Sequence, residues 1–302
     1  MMGKVFSPGK LLLTSEYVVL DGALALAVPT KLGQEFFFEE IADNQSIVVW
    51  EALHQNQSWL IVKIDYKSWT IIETNNNKAA EFVVKVLQNV QRLSPIKFQS
   101  NISYQLKTNL QFPSDYGWGS SSTLMNNVAE WASIDAFILN EMSLGGSGYD
   151  IAVAKEKTAI LYEIKDQEKI ATPVVFKPQF ADELLLVHLN QKQDSREGIS
   201  MYRSRPKSDK LIHEFSDLTH QILQVSTLEE FSELMTIHEK KLASFLQIKS
   251  VKEKFFEPLP FFVKSLGAWG GDFVLTSKFS GYQQWFSDNG YHTVLNYTDV
   301  TY

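Results

Sequence analysis

Eight of the fifteen glycines in this chain fall in three short stretches, at 117 and 119, at 145, 146 and 148, and at 267, 270 and 271. Unconstrained surface loops would scatter them more evenly. Each stretch also carries a hydroxyl or a carboxylate, and glycine-rich turns distant in sequence can converge on one ligand, so the pattern points to phosphate or magnesium chemistry. The most informative stretch is Phe112–Thr123, which reads Phe-Pro-Ser-Asp-Tyr-Gly-Trp-Gly-Ser-Ser-Ser-Thr. Gly117 and Gly119 let the backbone approach a ligand and take positive φ, and Ser120, Ser121 and Ser122 add hydroxyls that cap helices, bond phosphate oxygens or ligate hard cations. Taken alone, it reads equally as a phosphate loop or as a glycine turn ending in a serine N-cap.

The flanking elements place that loop. Ile102, Tyr104 and Leu106 alternate with polar residues as a half-buried strand does, and Leu124, Val128, Trp131 and Ala132 share one helical face. The loop therefore opens a helix, whose free N–H groups and about +0.5 of macrodipole charge favour an anion. A lone carboxylate, Asp150, follows the second glycine stretch; in isolation it reads as a turn or N-cap aspartate. Lys10 and Glu16 are charges among apolar neighbours, so they are paired with each other, turned to the surface or placed in a site.

The rest of the chain supplies a frame for these residues. Residues 4–38 read as strand, turn, strand and turn, and Ile47–Trp50 with Trp59–Ile64 as a hairpin whose polar tip is 54–57. Helical spacing marks Lys78–Leu93, Ile134–Met142, Lys210–Val225 and Leu228–Leu246, the last with Thr227 as N-cap and Glu230 completing a capping box. Ala159–Ile164 and Leu184–Leu189 read as strands, 190–198 as a polar loop with Lys192, Ser195 and Arg196, and the end of the chain as a helix at 281–288 and a strand at 291–297. The class is α+β, with a soft domain boundary at 170–180.

Composition narrows the function. With 302 residues and 44% hydrophobic content, the chain can bury a sizeable core and suits two domains. It has no cysteine, which excludes a disulfide framework and cysteinyl metal sites and fits a reducing compartment. A net charge of −7 argues against a broad nucleic-acid surface. No secretory signal or uncharged apolar run of about 18 residues is present, so a cytoplasmic protein without a membrane span is expected. A Walker loop, the protein-kinase motif set, HExxH zinc spacing and the GxSxG elbow are all missing.

Three motifs, in order along the chain, resemble those of the GHMP superfamily of small-molecule kinases, named for galactokinase, homoserine kinase, mevalonate kinase and phosphomevalonate kinase. Ser7-Pro8-Gly9-Lys10 through Ser15-Glu16-Tyr17 and Asp21-Gly22 is similar to the family's opening motif, with Ser15 where glycine is usual. Pro113 to Ser122 is similar to its phosphate loop, with Trp118 in the leucine position, and Gly267-Ala268-Trp269-Gly270-Gly271-Asp272 to its C-terminal glycine motif.

The resemblance implies a two-domain α+β kinase, with a ribosomal-S5-like ATP-binding domain at 1–175 and a ferredoxin-like domain at 176–302, and with ATP, Mg2+ and the acceptor meeting in the cleft between them. It implies that Gly117, Trp118, Gly119, Ser120, Ser121 and Ser122 form the nucleotide loop, with Ser121 a magnesium ligand. Asp150 would be the catalytic aspartate and Lys10 the lysine beside it. Glu141, nine residues before Asp150, stands nearest to the family's second magnesium ligand. Glu16, Gly267, Gly270 and Gly271 would border the acceptor, and Lys192 and Arg196 could read an acidic acceptor group, although either basic residue also reads as a solvated loop charge. The Glu16-Tyr17, Gly-Ser-Gly-Tyr-Asp and Gly-Gly-Asp segments are more similar to phosphomevalonate kinase than to mevalonate kinase, and the implied acceptor is phosphomevalonate or mevalonate. A sugar or amino-alcohol kinase and a catalytically silent nucleotide-binding regulator are the alternatives. The implied partners are ATP and a small-molecule acceptor, with homodimerisation left open.

Overall fold

The computed structural model describes residues 2–99, 101–191, 195–267 and 269–302, with residues 195 and 196 described by their backbone alone. In chain order the elements are β1 (Met2–Leu12), β2 (Ala25–Ile41), β3 (Ile47–His54), β4 (Gln57–Asp65), β5 (Thr70–Thr74), α1 (Asn77–Leu93), β6 (Ser103–Leu110), α2 (Ser120–Ala132), α3 (Ala136–Ser143) and α4 (Tyr149–Glu156). There follow β7 (Ile160–Lys165), β8 (Glu168–Pro173), β9 (Leu184–His188), α5 (Ser195–Arg203), α6 (Asp209–Gln224), α7 (Leu228–Leu246), α8 (Val251–Phe255), β10 (Val263–Ser265), β11 (Phe273–Ser277), α9 (Tyr282–Asp288), β12 (Val294–Asn296) and α10 (Tyr297–Val300). The α+β class expected from the sequence is what the chain adopts.

The elements gather into two compact units that interleave along the chain. The first holds residues up to Gly9, Leu32–Ser114 and Gly119–Lys157; the second holds Lys10–Lys31, Asp115–Trp118 and Thr158–Tyr302. The chain passes from one unit to the other within β1, within β2 and on either side of residues 115–118.

In the first unit, strands run in the order β5-β4-β3-β6-β2, antiparallel except for β3 and β6. One face is covered by amphipathic helices: Val83, Val86, Leu87 and Val90 of α1 and Met125, Val128 and Trp131 of α2 share a core with Phe36, Val48, Trp50 and Leu106. Asn76 caps α1 by accepting from Ala79 N–H (3.2 Å), in keeping with the preference for Asn at N-caps.

In the second unit, residues 25–27 of β2 pair with β7, which pairs with β8, and a separate antiparallel sheet runs β10-β11-β9-β12. Leu185, Val187, Val263 and Val274 of that sheet pack with Phe256 and Phe286. Helices α6 and α7 pack on each other, and α7 lies against β10.

Several elements differ from the sequence reading: α4 is not marked in the sequence, and the strand expected at 291–297 is confined to Val294–Asn296 and followed by α10. The polar loop expected to run to 198 ends at 195, where α5 begins; its periodic apolar residues, Ile199 and Tyr202, come only after a polar first turn. Thr227 does cap α7 through Glu230 N–H (3.2 Å), while the reciprocal capping box forms at α8, where Ser250 accepts from Glu253 N–H (3.2 Å) and donates its own N–H to Glu253 Oε2 (2.7 Å).

Candidate active site

The first unit carries the start of α2 and Asp150. Gly119 stands at the α2 N-cap in the left-handed region (φ 84°) and brings no side chain to cap the helix. The first intrahelical bond runs from Thr123 N–H to Gly119 O (3.0 Å), so the N–H groups of Ser120, Ser121 and Ser122 precede the ladder. Ser122 Oγ turns back to Gly119 O (2.8 Å), and Thr123 Oγ1 lies 2.8 Å from Gln34 Oε1. Ser121 is exposed. Those two side-chain contacts shape a first turn that carries no side-chain cap, and at such a helix start backbone amides and the macrodipole act together on an anion.

Asp150 lies in the first turn of α4, two residues after Gly148, an N-cap in the left-handed region (φ 92°). This helix packs on α2, where Asn126 Nδ2 donates to Ala154 O (3.3 Å). The same amide donates to Ser7 Oγ (2.9 Å), and Ser7 Oγ donates to Asn127 Oδ1 (2.8 Å). The start of the first motif, α2 and the Asp150 helix are thus stitched together inside one unit by buried amide groups. Glu141 is exposed on α3, which packs on α2 and α4.

The second unit gathers parts of all three motifs. Lys10, a buried residue, donates its backbone N–H to Trp118 O (3.0 Å), which ties the first motif to the glycine loop. Trp118 packs against Tyr116 and Phe273, with ring centroids 4.9 and 5.6 Å apart, so the indole in the leucine position anchors the loop to β11. Gly117 (φ 67°) faces Asp272: a Cβ built there would lie 2.2 Å from Asp272 Oδ2. In the third motif Gly267 and Gly270 have φ of 68° and 98°, Gly270 N–H donates to Ser265 Oγ (2.9 Å), and Gly271 is buried.

Ser15 and Tyr17 both have φ of 63°, in the left-handed region that favours glycine, the residue usual at the first of these positions in the motif it resembles. Serine holds the conformation here because it is pinned twice: its N–H donates to His238 Nε2 (2.7 Å) and its hydroxyl to Leu24 O (2.6 Å). The Tyr17 hydroxyl accepts from Trp269 N–H (3.0 Å), and burial pushes its pKa up to about 12, so it stays a neutral phenol.

Between them Glu16 is 1% exposed, and Lys264, fully buried, donates to its carboxylate. Lys264 Nζ also lies 3.2 Å from Glu239 Oε1, which accepts from the Trp269 indole (2.9 Å). Two carboxylates thus share one ammonium in a water-poor place. Burial, above all, raises the pKa of Glu16 to about 7, with the Lys264 charge pulling the other way and Glu239 adding to the rise; burial also raises Glu239. Glu16 Oε2 is 3.7 Å from His238 Nε2, yet that nitrogen already accepts from Ser15 N–H, and burial with Lys264 nearby holds the ring well below its usual pKa, so the contact is not an ion pair.

Of the residues expected at the site, Lys192 lies outside the described residues, as does the side chain of Arg196, and Ala268 of the third motif is likewise outside them. Ser120, Ser121, Ser122, Glu141 and Asp150 belong to the first unit, and Lys10, Glu16, Gly117, Trp118, Gly267, Gly270 and Gly271 to the second; Gly119 begins the first unit's last segment. Among the described residues no group of three or more His, Cys, Asp or Glu is arranged to hold a metal, and no helix is long and apolar enough to cross a membrane. Sequence reasoning missed Lys264, Glu239 and His238 as parts of this constellation, and gave Asp272, which closes the third motif, no role of its own. The signal was there for Lys264, a lysine inside an apolar strand, and for Asp272, directly after two glycines.

No family model matches the sequence, and no curated protein matches it. Solved structures share its fold. Methanococcus jannaschii mevalonate kinase has a TM-score of 0.68 at 15% identity, with 98% of this chain and 98% of that chain covered. Streptococcus pneumoniae phosphomevalonate kinase in complex with phosphomevalonate and AMPPNP has a TM-score of 0.68 at 16% identity, with 97% and 99% covered. Lactococcus lactis galactokinase complexed with galactose has a TM-score of 0.65 at 13% identity, with 95% and 88% covered. The chain has the GHMP kinase fold over nearly its whole length.

Proposed function

We propose that this protein is an ATP-dependent small-molecule kinase that transfers the γ-phosphoryl group to phosphomevalonate or mevalonate. The observation that carries the reading is the pairing, within one unit, of a helix start without a side-chain cap behind Gly119 with Asp150 in the first turn of the helix packed against it. The fold adds that this pairing sits in the scaffold of known small-molecule kinases.

In this reading Gly117, Trp118, Gly119, Ser120, Ser121 and Ser122 hold the ATP phosphates by backbone amides and hydroxyls. The acceptor oxygen attacks the γ-phosphorus in line, the bond from that phosphorus to the β,γ-bridging oxygen breaks, and ADP leaves. For a hydroxyl acceptor, Asp150 takes the proton; for a phosphate acceptor, it orients the attacking oxygen. Lys10 balances charge that develops on the transferred group. Ser121 and Glu141 would supply oxygen donors to Mg2+, which when bound would neutralise phosphate charge. Gly267, Gly270 and Gly271 border the acceptor pocket, and Lys192 and Arg196 read an acidic acceptor group.

The acceptor is tested by melting the protein with and without mevalonate or phosphomevalonate, since a ligand at 100 times its Kd stabilises by about 2.7 kcal/mol. A shift with one of the two supports the isoprenoid acceptor, and unmoved curves with both count against it. A sugar or amino-alcohol acceptor is the second reading, favoured by the likeness to galactokinase, which matches nearly as well as the mevalonate-type kinases do.

A further inference from the structure

Three consecutive residues of the first motif are held by three different buried contacts in the second unit: Ser15 by His238, Glu16 by Lys264 and Tyr17 by Trp269. A non-glycine residue in the left-handed region is strained and persists only where its surroundings over-determine it. Trp269 is held a second time, by its indole N–H on Glu239 Oε1, and Lys264 lies between Glu239 and Glu16. One ammonium therefore connects the strained segment of the first motif to the third motif.

Stability alone is a poor explanation of such a cluster. Two carboxylates beside one ammonium, none more than 4% exposed, leave an excess of buried charge, and apolar residues of the same volume commonly do as well or better. What the polar groups supply is direction: each fixes a named atom of one segment against a named atom of another.

We propose that Glu239 and Lys264 are positioning residues of the transfer reaction, acting through Trp269 and Glu16 to set the placement of the Ser15–Tyr17 segment and of the third motif. The proposal rests on the kinase reading. It moves Glu16 from the acceptor's contacts into the frame behind them, and it gives Tyr17 a fixed hydroxyl, with Gly198 of α5 so close that a Cβ there would lie 2.0 Å from it.

The test compares Glu239→Gln, which keeps an acceptor for the indole, with Glu239→Leu, which removes it. Two readouts are taken: steady-state kinetics, and solvent-exchange protection of the Trp269 indole N–H, its NMR signal assigned by its loss in Trp269→Phe. The Gln variant keeps the indole protected and stays within about threefold of wild-type kcat. The Leu variant loses the protection and drops kcat on the order of 10²-fold, as misplacement by about 1 Å does, while it remains fully folded by circular dichroism. Should Glu239→Leu melt early, Trp269→Phe, which removes the indole donor and leaves the charges in place, carries the same kinetic expectation.

Wild-type kcat in a folded variant without the indole contact overturns the proposal, as does a loss of rate no larger than the unfolded fraction. If the wild-type protein turns over no acceptor, the kinase reading fails, and the indole readout still decides the frame: unchanged protection in Glu239→Leu overturns it.

Discussion

The carboxylate of Asp272 fills the space that a side chain at residue 117 would need. A Cβ on Gly117 would lie 2.2 Å from Asp272 Oδ2 and 2.5 Å from its Cγ, and Gly117 has a φ of 67°. The glycine in the loop is therefore a requirement of the third motif as much as of any ligand. Gly117→Ala is expected to destabilise the protein by about 1–3 kcal/mol through overlap and backbone strain. Adding Asp272→Gly removes the overlap, so the double variant recovers part of the loss and a double-mutant cycle in urea shows a coupling energy. Additive effects would contradict the contact.

At α5 the same reasoning applies to a hydroxyl. Gly198→Ala places a methyl 2.0 Å from the Tyr17 hydroxyl, which must then leave Trp269 N–H. The expected outcome is a fall in kcat/KM on the order of tenfold or more with the nucleotide affinity kept, because the altered contacts lie in the first and third motifs. Nucleotide affinity lost in parallel would contradict it.

For magnesium the prediction concerns the metal requirement. Ser121 and Glu141 are exposed, so replacing either does not open the core. Ser121→Ala and Glu141→Gln are each expected to raise half-saturating Mg2+ in an ATP turnover titration on the order of tenfold. A variant whose magnesium curve matches the wild type removes that residue from the proposed ligand set.

The buried carboxylate pair gives a pH dependence with a definite sign. Glu16, raised from 4.5 to about 7 by burial, keeps its proton in the folded protein after the unfolded chain has lost it. The folded state binds more protons across that window, so this group's contribution to stability declines as pH rises from 4.5 to 7. His238, held neutral by burial beside Lys264, acts in the opposite direction below pH 6.5 and is common to both proteins compared. Glu239→Gln removes one titrating carboxylate and one cause of the Glu16 rise. The wild type should therefore lose melting temperature relative to the Gln variant between pH 5 and 7; parallel curves would contradict the pairing.

How much of this was legible in the sequence depended on the range of the physics involved. Periodicity marked α1, α6 and α7 because each is amphipathic, with one face on the core and the other exposed, and it marked α2 by its apolar stripe although Asn126 and Asn127 beside that stripe are buried too. It did not mark α4, where Ile151, Ala152, Val153 and Ala154 are all buried and no polar stripe breaks the run. The glycines were readable as turns, and all three stretches do adopt positive φ. The charge of Glu16 inside an apolar run signalled a partner, but its identity was out of reach: Lys264 stands 248 residues away, and only the fold brings the two together. Ser15 stands where the motif's glycine is usual, and its contacts with His238 and Leu24 show how the chain accommodates it.

The central claim is tested most directly by ATP turnover with Mg2+ across mevalonate, phosphomevalonate, homoserine and several sugars, with Asp150→Asn as control. A positioned base contributes about 10²–10⁴-fold, so the account predicts turnover with phosphomevalonate or mevalonate that falls by that factor in a folded Asp150→Asn protein. Turnover unchanged in Asp150→Asn, or ATP bound without transfer to any of these acceptors, would contradict it.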